Sequence, residues 1–322
     1  MRIEEFTERL NQWGRKKVPF LFLVDFEQEK PFVCRLEDAL AENIFFDING
    51  VANAGRKSKK NSITLKKYQI PFRNYRKKFE VVFGHLNYGD TFLTNLTIKT
   101  KIQPDRSMRD LFDLAKAKYK ILFKDQFLVF SPETFVRIAD GKIYSYPMKG
   151  TLDADLPDAR RILIRNKKEL AEHTTVVDLI RNDLSQVASQ VTVARFRYLE
   201  EVKTSGKTLL QMSSEIVGQL SIGYRSELGD ILLHLLPAGS VSGAPKLKTL
   251  EIIKKAEQEK RGYYTGIFGY FNGEALDSGV MIRFIEKEKD NFFYRSGGGI
   301  TTQSTAQEEY QEAFDKIYVP ID

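Results

Sequence analysis

The strongest constraint on the fold of this chain is that its strand-like apolar runs come in clusters and do not alternate steadily with helices. Strands are predicted over residues 18–26, 92–100, 127–131, 133–148 and 191–202, and again between residues 261 and 300. The run from 133 to 148 alternates apolar and polar residues around Asp140-Gly141, a hairpin signal. Because a parallel sheet of βαβ units needs regular alternation of strands and helices, this arrangement favours an α+β fold.

Helical periodicity occupies separate segments of the chain. It predicts helices over residues 3–17, 157–184, 207–221, 244–260 and 305–318. The last helix begins at Thr305, and Glu308 follows at the spacing of a capping box. No linker rich in Pro, Ser or Gly divides the 322 residues, so we expect one large domain.

Composition excludes several classes of protein. No apolar run approaches the ~18 residues of a membrane span. The N-terminus has early acidic residues and lacks the apolar segment of a secretory signal. Cys34 is the single cysteine, so an internal disulfide and a cysteine-rich zinc site are both excluded. We therefore expect a soluble, cytoplasmic protein with no membrane partner.

Positive charge is concentrated in one segment. Residues 55–78 carry ten Lys or Arg and no acid, whereas the whole chain has a net charge of +7. Such a block is usually a solvated surface, but it can also bind nucleic acid. Its aromatic residues are not part of a known nucleic-acid-binding motif. Nucleic acid is therefore only a remote candidate partner.

Three near-matches to common motifs fail on spacing. Ser205-Gly206-Lys207-Thr208 lacks the upstream glycine of a phosphate loop. Gly297-Gly298-Gly299 lacks the GxGxxG spacing of dinucleotide-binding proteins. Residues 239–243 have Val241 where a nucleophile elbow needs serine. ATPase, Rossmann dehydrogenase and α/β-hydrolase functions are excluded.

Acidic residues on two predicted helices are candidates for binding a metal. Glu309 and Glu312 share one face of the C-terminal helix, a spacing that a solvated acidic surface would also explain. Glu172 lies in the middle of another helix, where surface placement is again the ordinary explanation. Carboxylates from separate helices could together hold Mg²⁺, which prefers oxygen ligands.

Two segments rich in small residues are candidates for binding an anion. Ser242-Gly243-Ala244-Pro245-Lys246 forms a tight turn into a helix, whose free N–H groups could hold a carboxylate or phosphate or could simply be capped. Gly297 to Gly299 could let the backbone approach a ligand closely, or could form a bulge.

An ordered series of motifs resembles the chorismate-utilising enzymes. The motifs are SPE (131–133), PMKGT (147–151), AEHTTVVDLIRNDL (171–184), PAGSVSGAPK (237–246), RGYYTGIFGYF (261–271), VMIRF (280–284), SGGGI (296–300) and AQEEYQEAFDK (306–316). The helix and GD-containing strand of residues 75–97 fit as well. The resemblance implies one chorismate-binding domain of the anthranilate synthase component I type over residues 71–322. Two packed β-sheets would have helices around the active site, and residues 1–70 would be a short divergent segment packed on this domain.

Lys149 indicates the branch of the family. It stands in a KGT sequence where the anthranilate and isochorismate synthases have alanine, and Asn95-Leu96 also fits the aminodeoxychorismate synthase component I branch. The resemblance implies a transferase that converts chorismate and ammonia to 4-amino-4-deoxychorismate for p-aminobenzoate and folate biosynthesis. The alternative is an anthranilate or isochorismate synthase, and a remote one is a nucleic-acid-binding protein on an inactive fold. Gln211 departs from the family, which often has histidine there.

The resemblance also implies a role for each site residue. Lys149 matches the nucleophile that adds at C2 of the ring, and Glu133 matches the general acid that protonates the departing C4 hydroxyl. Glu172 and Glu312 match the ligands of a Mg²⁺ cofactor, with Glu309 as an outer-shell candidate. The candidate substrate-binding residues, most of which lie in the two small-residue segments, are Ser242, Gly243, Lys246, Tyr264, Arg283, Gly297 and Gly299.

These roles carry expectations about protonation and about the source of ammonia. Glu133 must keep its proton, so its pKa should be raised by burial. Lys149 must lose its proton, so burial or nearby positive charge should lower its pKa. No Cys–His–Glu set can be built around Cys34, so ammonia would come from free ammonium or from a separate glutamine amidotransferase subunit.

Overall fold

Eighteen strands, eight α-helices and three short 3-10 helices lie within the residues that the computed structural model describes, which are 1–55, 63–203 and 208–321. The strands are β1 (Phe20–Val24), β2 (Phe32–Arg35), β3 (Ile44–Ile48), β4 (Val51–Ala52), β5 (Leu65–Tyr68), β6 (Leu93–Pro104), β7 (Tyr119–Phe123), β8 (Phe127–Ser131), β9 (Thr134–Ala139), β10 (Lys142–Ser145), β11 (Met148–Asp153), β12 (Ser189–Lys203), β13 (Thr208–Gln219), β14 (Gly243–Ala244), β15 (Ile267–Phe271), β16 (Leu276–Val280), β17 (Phe284–Glu288) and β18 (Asn291–Ile300). The helices are α1 (Ile3–Arg15), α2 (Phe72–Tyr88), α3 (Met108–Leu114), α4 (Ala159–Arg165), α5 (Lys167–Leu184), α6 (Leu228–His234), α7 (Lys246–Glu257) and α8 (Ala306–Asp315).

The strands form two sheets of nine strands each. The first sheet has the order β11-β13-β10-β9-β16-β15-β1-β2, with β12 beside β13, and the second has the order β14-β6-β18-β17-β8-β7-β3-β4, with β5 beside β6. The strand pairs in the described residues are antiparallel. Leu23 and Phe268 of the first sheet pack against Phe127 and Phe284 of the second in one buried core. The prediction of an α+β fold with two packed sheets is confirmed.

Helices cover the outer faces of both sheets. Phe6 of α1 and Leu232 of α6 pack against the first sheet in a core that also contains Val177 of α5. Tyr75 of α2 and Ile252 of α7 pack with α8 against the second sheet. Helix α5 therefore packs on the first sheet and helix α8 on the second. Each of these two helices carries acidic residues that are candidate metal ligands.

The helix predicted over residues 207–221 is wrong, because this segment contains strand β13. Leu210, Met212 and Ile216 alternate along it as buried residues, and β13 pairs with β10, β11 and β12. Leu, Met, Gln and Glu favour a helix locally, but pairing with three strands outweighs that preference. The helix predicted over 157–184 is two helices, with Asn166 capping the second by accepting a hydrogen bond from the Glu169 N–H.

The first 70 residues contribute strands to both sheets. β1 pairs with β15 in the first sheet, whereas β3 pairs with β7 in the second. The domain boundary predicted near residue 70 stays a prediction. Within the basic segment 55–78, residues 56–62 lie outside the described residues, and the rest is occupied mainly by β5 and the start of α2. Among the described helices, none combines the length and apolar character needed to span a membrane.

Candidate active site

A cleft of about 600 Å³ opens where β11 of the first sheet meets β6 and β18 of the second, between α5 and α8. It brings together residues from distant parts of the chain, because both Glu133 and Glu312 line it. The predicted site residues that line the cleft are Glu133, Lys149, Glu172, Ser242, Tyr264, Arg283, Gly297, Gly299, Glu309 and Glu312.

Lys149 enters the cleft from an irregular position in β11. The pairing of β11 with β13 shifts between Lys149 and Thr151, and Gly150 between them has φ +75°, a left-handed conformation suited to glycine. The Lys149 Nζ lies 3.1 Å from the Glu172 Oε2. A Cβ placed on Gly299 would lie 3.8 Å from the same Nζ, so the amine also faces the glycine run of β18.

The pKa of Lys149 differs from the expectation drawn from the sequence. Burial disfavours the ammonium, but the carboxylates of Glu172, Glu312 and Glu169 outweigh burial and raise the pKa of Lys149. The predicted lowering of this pKa is therefore wrong for the protein with nothing bound. The physical reason is that the carboxylates of α5 and α8 share the cleft with the lysine.

Two helices each present a pair of carboxylates to the cleft. Glu169 and Glu172 lie three positions apart on α5, and Glu309 and Glu312 lie three positions apart on α8. Gly298 runs beside the second pair, because a Cβ on it would lie 3.3 Å from the Glu309 Oε2 and 3.6 Å from the Glu312 Oε1. A side chain at this position would require a small shift of the Glu309 carboxylate.

The donor set suits a hard divalent cation. Glu172 is paired with Lys149, and Glu312 is paired with Lys316 at 2.6 Å, so protein cations balance the acids. Across residues 1–55, 63–203 and 208–321, no three His, Cys, Asp or Glu side chains form a ready-made metal cluster. Magnesium is commonly held by one or two carboxylates with water and substrate completing the shell, and carboxylates from α5 and α8 supply such ligands.

Glu133 has an environment that disfavours its ionised form. It follows β8 at the edge of the cleft and is half-buried, and the Ser240 hydroxyl donates a hydrogen bond to its Oε1. Burial raises the pKa of Glu133, while the bond from Ser240 and the positive charges of Lys149 and Arg283 oppose this shift. The expected rise in the pKa of Glu133 is confirmed.

Basic and phenolic groups line another wall of the cleft. Arg283 has a left-handed backbone, with φ 53°, at the bend between β16 and β17. Its Nε is buried and has no hydrogen-bond partner, and its guanidinium lies 5.2 Å from the Tyr318 ring centre. Tyr264 is buried and lines the same wall. A guanidinium that lines the cleft can pair with a carboxylate.

Two predicted substrate-binding residues are not brought into the cleft. The side chain of Lys246, at the start of α7, is occupied by an ion pair, since its Nζ lies 2.9 Å from the Asp183 Oδ1 and donates to the Leu235 carbonyl. Gly243 pairs with β6, and a Cβ on it would lie 1.9 Å from the Leu93 carbonyl oxygen. Close backbone packing accounts for this glycine, and neither residue lines the cleft.

Ser242 does line the cleft, but its hydroxyl already has a partner. The Ser242 Oγ donates a hydrogen bond of 2.9 Å to the Ala238 carbonyl, and the side chain is buried. The backbone carbonyl of Ser242 accepts a bond from the Asn95 N–H. Ser242 therefore holds the loop before α7 against β6, and its hydroxyl oxygen can still accept a hydrogen bond from a ligand.

Several cleft residues were not singled out as site residues from the sequence. The Asn95 Oδ1 and the Ser296 Oγ are buried, line the cleft and lack a hydrogen-bond partner. The Lys316 Nζ donates to the Gly297 carbonyl as well as pairing with Glu312. Glu169 carried a usable signal, because it stands at the same spacing from Glu172 as Glu309 does from Glu312. Lone polar residues such as Ser296 carry no such signal.

Cys34 has the environment of a core residue. It is buried with the residues that pack between the sheets. Burial raises the pKa of its thiol to about 12, so the thiol stays protonated at neutral pH. Such a thiol is not an activated nucleophile, and the absence of a glutaminase triad around Cys34 stays a prediction.

Comparison with known proteins identifies the family. The model of the chorismate binding enzymes matches residues 15–322. This chain belongs to the chorismate binding enzyme family. The match includes the cleft residues described above, from Glu133 after β8 to Glu312 on α8.

Three similar members illustrate the range of the family. The chain is 48% identical over 320 residues to an uncharacterized PabA-like protein of Haemophilus influenzae, covering 99% of this chain and 98% of that protein. It is 30% identical over 260 residues to aminodeoxychorismate synthase component 1 of Salmonella typhimurium, covering 76% of this chain and 56% of the relative. The crystal structure of anthranilate synthase component I from Streptococcus pneumoniae superposes with a TM-score of 0.65 and 26% identity, covering 80% of this chain and 59% of that one. This chorismate binding enzyme thus spans little more than half the length of the two relatives whose activity is named.

Proposed function

We propose that this chorismate binding enzyme is the chorismate-aminating component of an aminodeoxychorismate synthase, producing 4-amino-4-deoxychorismate from chorismate and ammonia. The observation that carries the proposal is the position of Lys149, whose Nζ lies in the cleft 3.1 Å from the carboxylate of Glu172. The same cleft contains Glu133, a carboxyl group with a raised pKa. A nucleophile and a proton donor are the two groups that the amination requires.

Chorismate is a dicarboxylate with a ring hydroxyl and an enolpyruvyl ether. Arg283 and Tyr264 line the cleft, and we assign them the role of hydrogen-bond donors to one carboxylate. We assign the holding of Mg²⁺ to Glu172 and Glu312, with Glu309 beside them. When bound, the cation would neutralise the other carboxylate and withdraw electron density from the diene.

Lys149 performs the first displacement as the neutral amine, after its ammonium proton has passed to water. Its Nζ forms a bond to C2, the two double bonds of the ring shift, and the bond between C4 and the hydroxyl breaks. Glu133 gives its proton to the departing oxygen, so water leaves and Glu133 becomes a carboxylate. The product of this step is a covalent adduct in which the Lys149 nitrogen is bonded to C2 as a secondary ammonium.

Ammonia performs the second displacement. It forms a bond to C4, the double bonds shift back, and the bond between C2 and the lysine nitrogen breaks. The Glu133 carboxylate takes the surplus proton from the new ammonium group, and Lys149 returns to the neutral amine. Atoms balance as chorismate plus ammonia giving aminodeoxychorismate plus water. Because this chain has no activated thiol, we assign the supply of ammonia to free ammonium or to a separate glutamine amidotransferase subunit.

One assay tests the proposal against the other products of the family. The protein is incubated with chorismate, Mg²⁺ and ammonium, and the product is read with and without an added lyase that converts aminodeoxychorismate to p-aminobenzoate. We expect p-aminobenzoate only with the lyase and only with ammonium. Fluorescent anthranilate, or isochorismate formed without ammonium, would assign the chain to another branch. Tight, salt-dependent retention of DNA or RNA with no turnover would support the remote nucleic-acid alternative.

A further inference from the structure

A second, smaller cavity of about 30 Å³ lies behind Glu133, and we call it the rear chamber. Glu133, Pro147 and Ser240 line both the rear chamber and the cleft, so these three residues form the partition between the two spaces. The other walls are mainly apolar and include Val136 and Ile180. The hydrogen bond from Ser240 to Glu133 lies in the partition itself.

The size and polarity of the rear chamber suit a small neutral molecule. A water molecule needs ~10–15 Å³ of volume measured in this way, so the chamber accommodates about two molecules of that size. Its polar residues are Glu133 and Ser240 at the partition, together with Thr134, Ser145 and Asp183, the last of which is paired with Lys246 at 2.9 Å. Water and ammonia fit this space and can bond to these groups, whereas an unpaired ammonium ion would lose most of its hydration among the apolar walls.

We propose that the rear chamber receives the water that leaves C4 of chorismate and delivers the ammonia that replaces it. This inference rests on the proposed function. Glu133 protonates the C4 hydroxyl, so the water forms beside the partition, and ammonia must then bond to the same carbon. On the cleft side, the positive charges of Lys149, Arg283 and Lys316 act on Glu133, and the carboxylates of α5 and α8 share the same space. The chamber, whose walls are mainly apolar, therefore offers a position for a small neutral molecule on the far side of Glu133.

The exchange balances when Glu133 acts on both molecules. The first proton transfer converts the hydroxyl to water and leaves Glu133 ionised. Ammonia then donates its lone pair to C4 as the bond from C2 to Lys149 breaks, and the carboxylate removes one proton from the new C4 ammonium. Glu133 ends protonated, ready for another cycle, and Ser240 can donate to its ionised form or accept from its protonated form.

Filling the chamber tests the inference. Val136→Ile adds one methylene to the chamber wall, which is enough to occupy most of 30 Å³. We expect the KM for ammonium to rise about tenfold or more while the KM for chorismate stays unchanged. The control is Val33→Ile, the same substitution at a buried residue of β2 that does not line the chamber. Steady-state kinetics are measured on both variants and on the native protein with free ammonium.

The adduct on Lys149 separates failure of this inference from failure of the proposed function. Mass spectrometry with chorismate and no ammonium should show the same adduct yield in Val136→Ile as in the native protein. A normal adduct with an unchanged KM for ammonium overturns the role of the chamber. A reduced adduct in Val136→Ile also overturns it, because the wall would then shape the chorismate site. Absence of an adduct in the native protein overturns the proposed function itself.

Enlarging the chamber provides a second test that does not depend on overpacking. Ile180→Val removes one methylene from the wall and should fold normally, with a small loss of stability. We expect kcat/KM for methylamine to rise relative to that for ammonium, by about tenfold, because methylamine exceeds ammonia by one methyl group. An unchanged ratio in a folded Ile180→Val variant would count against passage through the chamber.

Discussion

The Nζ of Lys149 lies 3.1 Å from the Oε2 of Glu172, so the residue assigned as the nucleophile is ion-paired with a residue assigned to hold the metal. Glu172, Glu312 and Glu169 outweigh burial and keep the lysine charged when nothing is bound. An ammonium group has no lone pair for attack on C2. In the proposed mechanism, Lys149 must therefore lose its proton before it attacks C2.

Replacing Lys149 tests the assigned chemistry most directly. Lys149→Ala should lower aminodeoxychorismate formation by orders of magnitude, because ammonia then has no covalent intermediate to attack at C4. The vacated space beside C2 should admit ammonia or water and yield traces of anthranilate-type or isochorismate-type product. Product analysis by chromatography measures both effects. Lys142→Ala, at an exposed lysine of β10, is the control, and near-native amination by Lys149→Ala would contradict the mechanism.

Metal dependence is expected from the carboxylates of α5 and α8. Glu312→Gln should abolish turnover and leave the thermal melting temperature nearly unchanged, because it removes a charge from the cleft without altering the core. Glu308→Gln, one turn earlier on the exposed face of the same helix, should retain activity. Chelation of divalent cations should act like Glu312→Gln. Full turnover in excess EDTA would show that the reaction needs no metal.

The hydrogen bond from Ser240 to Glu133 should be visible in the pH dependence of activity. Glu133 must be protonated to act, so kcat/KM should fall as pH rises through its raised pKa. Ser240 donates to the ionised carboxylate and so lowers this pKa. Ser240→Ala should raise the pKa further and move the alkaline limb of the profile to higher pH. The exposed Ser226→Ala is the control, and a limb that moves to lower pH would reverse the assigned direction of the bond.

The buried ion pair between Glu257 and Arg261 should contribute strongly to the free energy of unfolding. Glu257 bonds to Arg261 at 2.6 Å and 2.9 Å, and Arg261 donates to the carbonyls of Asn95 and Val241 at 2.7 Å each. Glu257→Gln leaves the Arg261 charge buried without its partner and should lower the free energy of unfolding by about 3–5 kcal/mol. Urea denaturation measures the loss. The exposed Glu251→Gln on the same helix should cost under ~0.5 kcal/mol, and an equally small loss in Glu257→Gln would contradict the assigned role of the pair.

Features set by neighbouring residues could be predicted from the sequence. Strand β8 has the predicted bounds 127–131, and Asp140 and Gly141 both have positive φ in the predicted hairpin between β9 and β10. The Thr305 hydroxyl accepts a hydrogen bond from the Glu308 N–H at the start of α8, as the capping spacing indicates. In each case the side chain or backbone preference acts within four residues, so the local sequence carries the information.

Features set by distant residues appeared only in the tertiary structure. The composition of β13 favours a helix, but pairing with three strands decides its conformation. The order of the motifs indicated which residues share the active site, but the pairing of Lys149 with Glu172 and of Lys246 with Asp183 depends on side chains brought together from separate elements. The balance of charge in the cleft, and therefore the pKa of Lys149, depends on contacts between these separate elements. The sequence by itself therefore determined the family and the chemical groups, and packing decided which group neutralises which.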